Sequence, residues 1–142
     1  MRSLGLDIGK TRIGVALSDE TGTIASPFTT LDARESTLVL RKKIGEICEE
    51  NDVSCIVIGL PLSMSGGDRG ESARMAKAFG NGLEETMDIT VVYMDERFST
   101  TQAERALVDA DVSRRRRKTV VDKVAAALIL QAFLDSKDND GD

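Results

Sequence analysis

The stretch Ser3-Leu4-Gly5-Leu6-Asp7-Ile8-Gly9-Lys10-Thr11-Arg12-Ile13-Gly14-Val15-Ala16-Leu17-Ser18 holds two apolar runs about a polar turn. Ser3–Ile8 reads as a buried strand and Arg12–Ser18 as its antiparallel partner, with Gly9-Lys10 at the turn. Asp7 interrupts the first run. Gly5, Asp7 and Gly9 share one strand face, which leaves room for a ligand close to the backbone. A carboxylate inside an apolar element is costly unless something compensates it, such as a metal ion.

Outward from this hairpin, Thr23–Thr30 reads as a third strand, and Pro27 assigns it to an edge or a bulge. A helix is predicted over Glu35–Asn51, where Leu40, Ile44, Ile47 and Cys48 have helical spacing. Cys55–Ile58 is a short continuous apolar strand, of the kind covered on both faces. The loop Gly59–Gly67 follows. Asp68-x-x-Glu71 resembles a capping box for a second helix, with Ala76, Phe79, Leu83 and Met87 on one face, although Gly80 and Gly82 work against it. Thr90–Met94 is the fifth strand. Ser99-x-x-Gln102 suits the start of a helix over Thr100–Asp109. A polar, basic connector then leads to a last helix over Thr119–Asp135. Ser136–Asp142 is a polar, acidic tail expected to be disordered. The reading is an α/β fold, one domain over residues 1–135. Its mixed five-stranded sheet has three antiparallel strands, then parallel strands, with helices on its faces.

Two more acidic positions have unusual settings. Asp95 and Glu96 end the apolar run of the fifth strand, and Asp122 interrupts the apolar run Val120–Leu130. Asp122 shares a helical stripe with Ala126, Ile129 and Phe133, so it should face the sheet, either at a site or paired with Arg97 or Arg12. If the fold gathers these acids, the result is an oxygen-ligand site for Mg²⁺ or Mn²⁺. Ligands in such sheets collect beyond the carboxyl ends of parallel strands. Asp95 and Glu96 point to opposite faces if the strand continues past Met94. Parity alone leaves open which of them faces the metal.

The bulk numbers narrow the chemistry. The chain of 142 residues has 41% hydrophobic and 30% charged residues, as ordinary globular proteins do. It contains no histidine, which excludes His-based acid/base catalysis, His-oriented nucleophiles and His metal ligands. Cys48 and Cys55 are the only cysteines and read as core packing. No apolar run approaches the roughly 20 residues of a membrane helix, and no signal-peptide pattern opens the chain. The expected location is cytoplasmic. Net charge is −5, yet Arg114, Arg115, Arg116, Arg117 and Lys118 form a concentrated positive block. Such a block near Asp122 suits contact with phosphates.

Taken in order, four motifs resemble the YqgF/RuvX family. They are Leu4–Ala16; Gly59-Leu60-Pro61-Leu62 with Gly66; Asp95-Glu96-Arg97-Phe98-Ser99-Thr100 with Glu104; and Val121–Ala126 with Ile129-Leu130-Gln131. The resemblance covers nearly the whole chain apart from the acidic tail. It implies a ribonuclease H-like fold and a metal-dependent nuclease. The implied role is maturation of the 5′ end of pre-16S rRNA, with resolution of Holliday junctions as the alternative. Carried onto this chain, the acidic set is Asp7, Glu96 and Asp122, with Asp95 as the alternative to Glu96. Thr11 stands where many relatives have a basic residue.

The nucleic-acid-binding candidates are Lys10, Arg12 and Arg97, then Ser63 and Ser65 of the loop, then Arg114, Arg115, Arg116, Arg117 and Lys118. The expected partners are structured RNA such as pre-rRNA, a ribosomal precursor particle, or branched DNA, and no membrane. Junction cutting suits a two-fold dimer, and otherwise a monomer suffices. The rival readings are a nucleic-acid-binding factor without catalysis and an actin-like nucleotide phosphotransferase. The second would require a second phosphate loop, and none is present.

Overall fold

The computed structural model describes residues 1–60, 68–95 and 114–140, with side chains over 1–60, 70–95 and 122–137. The strands are β1 (Arg2–Ile8), β2 (Arg12–Ser18), β3 (Ala25–Asp32), β4 (Val53–Leu60) and β5 (Thr90–Asp95). The described helices are α1 (Thr37–Glu50), α2 (Asp68–Thr86) and α3 (Arg114–Asp140). All five strands form one sheet in the order β3-β2-β1-β4-β5. β1 is central. It pairs antiparallel with β2 and parallel with β4, and β4 pairs parallel with β5. The expected mixed sheet is therefore observed.

Two hydrophobic layers cover the sheet. On one face Leu4, Leu6, Ile13, Val15, Ile56, Ile58 and Val91 meet Leu40, Ile44 and Cys48 of α1 and Ala76 and Leu83 of α2. On the other face Ala16 and Val57 meet Ala126, Ala127, Ile129, Leu130 and Leu134 of α3. Ile56, Val57 and Ile58 are all fully buried, as expected of a strand sandwiched between helices. The alternation of side chains along β1 and β4 divides the two layers.

Local signals explain the element ends. Ser36 caps α1, its Oγ accepting from the Val39 N–H at 3.2 Å. Pro27 lies on edge strand β3, beside a register shift opposite Val15 and Ala16. Gly80 and Gly82 do not break α2, because each is a place of close packing. A Cβ at Gly80 would meet the Tyr93 hydroxyl and Ile58, and one at Gly82 would overlap the Arg41 guanidinium.

The last helix differs from the expectation at both ends. It begins at Arg114 rather than Thr119, so Arg114–Lys118 are helical residues and not a connector. It also runs on to Asp140, past the Asp135 expected as its end. Arginine and lysine are good helix formers, and Lys137 near the C-terminus suits the helix dipole. The apolar stripe marked only the part of the helix that touches the sheet. The helix expected over Thr100–Asp109 lies outside the described residues.

Candidate functional site

Asp7 lies one residue before the end of β1, half-buried, and directly opposite Gly14 of β2. Paired residues of neighbouring strands share a face. The face is identified by the glycines. A Cβ on Gly5 would press on Leu130 and the Ala126 carbonyl, and one on Gly14 would overlap the Asp122 backbone. Gly5, Asp7 and Gly14 therefore face α3. The α3 backbone at Asp122 rests on Gly14, beside Asp7, and it approaches so closely because Gly14 has no side chain.

Arg12, on the same face as Gly14, donates from Nε to Asp122 Oδ2 at 2.6 Å. The Asp122 side chain is 21% exposed, so it sits at the margin of the layer between sheet and helix. A charge-assisted contact of this length holds the carboxylate in one orientation. The pairing occupies Oδ2, one of the two oxygens. Further along α3, Ala126 and Ile129 are buried and Phe133 is partly buried, which bears out the stripe that predicted Asp122 to face the sheet. The hairpin turn beside it is closed by the Gly9 N–H donating to the Arg12 carbonyl at 2.9 Å.

Asp95 is on the other face. Its register partner is Leu60, which belongs to the layer under α1 and α2. Its predecessor Met94 packs into the layer under α3. Asp95 and Asp7 therefore point to opposite sides of the sheet, and Asp95 is exposed. Glu96, Arg97, Ser63 and Ser65 lie outside the described residues, and the side chains of Arg114–Lys118 are likewise not described. Lys10 is exposed at the β1–β2 turn. Among the described residues, no three acids or cysteines form a metal-holding group. The described part of the proposed set is Asp7 with Asp122, both hard oxygen donors of the kind Mg²⁺ and Mn²⁺ take.

Two contributions were not legible beforehand. Gly14 reads in sequence as a hairpin residue, whereas the structure makes it the seat of α3. Gln131 stands in the sequence only as a motif residue of the last helix, yet its side-chain amide ties α3 to the start of the edge strand. Its Oε1 accepts from the Ala25 N–H and its Nε2 donates to the Thr23 carbonyl, both at 2.9 Å. An amide directly after the apolar run Val120–Leu130 was the available signal, because a polar group at the margin of a core takes hydrogen-bond partners.

The family model described as "RuvX: Holliday junction resolvase" matches residues 1–136. The chain belongs to the RuvX family. Curated relatives in Bacillus thuringiensis (strain Al Hakam) and Bacillus cereus (strain AH820) are 47% identical over 140 residues. Each match spans 96% of this chain and 100% of the relative, and each relative is named "Putative pre-16S rRNA nuclease". Among solved structures, Thermus thermophilus RuvC in complex with a Holliday junction substrate superposes with a TM-score of 0.61 at 13% identity. That match covers 99% of this chain and 96% of RuvC. A second Thermus thermophilus RuvC structure gives 0.60 at 11% identity. At such identities the likeness concerns the fold, which is ribonuclease H-like as the motifs implied.

Proposed function

We propose that this chain is a metal-dependent nuclease that matures the 5′ end of pre-16S rRNA, acting on precursor ribosomal RNA in the cytoplasm. The observation that carries the reading is the juxtaposition of Asp7 and Asp122 on the α3 face of the sheet, across Gly14. Membership of the RuvX family and the names of the Bacillus relatives support it.

Asp7 and Asp122, joined by Glu96, are the residues proposed to hold Mg²⁺ or Mn²⁺. Bound divalent ions supply a deprotonated water and neutralise charge on the leaving oxygen, which suits a chain with no histidine. Arg12 acts through Asp122, keeping its carboxylate aimed. Lys10, Arg97 and the loop residues Ser63 and Ser65 are proposed contacts to the phosphate backbone, with Arg114–Lys118 as a basic track along the first turns of α3. Asp95, on the opposite face from Asp7, is left out of the ligand set.

The test is cleavage of a structured pre-rRNA fragment and of a four-way DNA junction side by side, with Mg²⁺, with Mn²⁺ and with EDTA. The expected result is cleavage of the RNA near the mature 5′ end, with metal only, and its loss in Asp7→Asn with the fold retained. Junction cleavage without RNA cleavage would transfer the activity to the family's resolvase description. Near wild-type cleavage by Asp7→Asn would remove the site altogether.

A further inference from the structure

A second concavity opens at the same end of β1, on the opposite side of the sheet. It has a volume of about 310 Å³ and lies between the β1–β2 turn and helices α1 and α2. Its walls are apolar, with Ile8 and Ile13 from the hairpin, Leu40 from α1, and Met75 and Phe79 from α2. Lys10 and Arg41 stand among them. Neither cation has an ion-pair partner among the described residues. Arg41 lies over Gly82, and its buried Nε has no hydrogen-bond partner among the described residues. The carboxylate at the rim, Glu35, is neutralised by Lys43 at 2.7 Å.

We propose that this cavity takes one unpaired nucleobase of the substrate strand, next to the nucleotide whose phosphate reaches Asp7. The inference rests on the nuclease reading for the identity of the strand. Three features select this occupant. The volume is at the small end of the roughly 300–1,000 Å³ of ligand pockets, which suits one planar ring system. An apolar floor with a half-buried phenylalanine and a methionine suits the face of a base, and stacking of this kind tolerates any base. Lys10 and Arg41 bring N–H donors to the cavity with no acidic partner among the described residues, which matches the carbonyl oxygens on base edges. Adjacent residues of β1 place the two sites. Asp7 faces α3, while Ile8 belongs to the α1/α2 layer and lines the cavity. A strand crossing this sheet end would present its phosphate to one side and its base to the other. The substrate class this selects has a single-stranded nucleotide beside the cut, rather than a continuous duplex.

The test reads binding in EDTA, so it does not depend on cleavage. Methyl-labelled full-length protein is titrated with a short RNA and with the same RNA carrying one abasic nucleotide. The abasic site is moved along the strand. At one position the abasic RNA should bind about ten-fold more weakly. The Ile8, Ile13, Leu40 and Met75 methyl shifts seen with intact RNA should vanish there. Ala78, exposed on α2 and lining the cavity, provides the variant. Ala78→Trp should bind intact RNA as weakly as wild type binds the abasic form, with an unchanged salt dependence. Equal binding of intact and abasic RNA at every position would overturn the proposal, as would shifts confined to other methyls. Failure of the nuclease reading would look different, because base-dependent binding would persist with no metal-dependent cleavage of any substrate.

Discussion

At Gly14 a missing side chain decides where a helix lies. The Asp122 backbone occupies the space a Cβ would take, and backbone cannot move aside as a flexible side chain can. Gly14→Ala is expected to destabilise the protein by about 2–3 kcal/mol, because relief requires shifting α3 off the sheet. Urea unfolding checks this, and a loss under about 0.5 kcal/mol would mean that the approach is looser than described. Arg12 acts at the same scale. Arg12→Met should leave β2 intact, since nearly half of its side chain is already exposed, while freeing the Asp122 carboxylate to rotate. Cleavage is expected to fall at least ten-fold with a stability loss of about 1–3 kcal/mol, since Arg12→Met leaves a mostly buried carboxylate without this partner. A stability loss with unchanged cleavage would make Arg12 a purely structural residue.

At the scale of elements, the register of β5 bears on adjacent acids. Asp95 lies opposite Leu60 and faces away from Asp7, so Asp95→Asn should keep most of the cleavage activity. Glu96→Gln should abolish it with little loss of stability. Paired melting and cleavage measurements giving the reverse order would move the proposed metal role from Glu96 to Asp95. Helix α3 bears on binding. Its first residues are Arg114, Arg115, Arg116, Arg117 and Lys118, on the helix that also carries Asp122. Replacing Arg114, Arg115 and Arg116 by Ala keeps helix propensity and removes three positive charges. The slope of log affinity against log salt should flatten by up to about 3, roughly one for each phosphate no longer neutralised. An unchanged slope would make this segment a solvated helix end.

For the whole molecule, the two layers make the thiols reporters of opening. Cys48 is 6% exposed under the sheet, and burial pushes its thiol up to about 11. Cys55 is half-buried on the α3 side, and burial raises its thiol too, with Lys137 acting in the opposite direction. At pH 8 Cys55 should be alkylated first, and Cys48 only as fast as the fold opens. Mass spectrometry across a urea series separates the two. Equal rates in native buffer would show that the α1/α2 layer is not closed.

Much of this protein follows from the chain alone, for a physical reason. Strands and helices announce themselves by the period of their apolar residues, which is why the hairpin Ser3–Ser18 and the apolar faces of α1, α2 and α3 were legible. The acids at Asp7 and Asp122 were equally legible, because a charge in an apolar run breaks the pattern. The ends of α3 were not, since beyond the sheet its residues have no apolar partner and the stripe ends with the sheet. Nor did local pattern reveal the seat of α3 on Gly14 or the face on which Asp95 lies, and it left Arg12 as one of two candidate partners for Asp122. Those depend on which strands neighbour one another and in what register. A one-residue slip reverses every side chain, so only the assembled sheet decides which acids share a side.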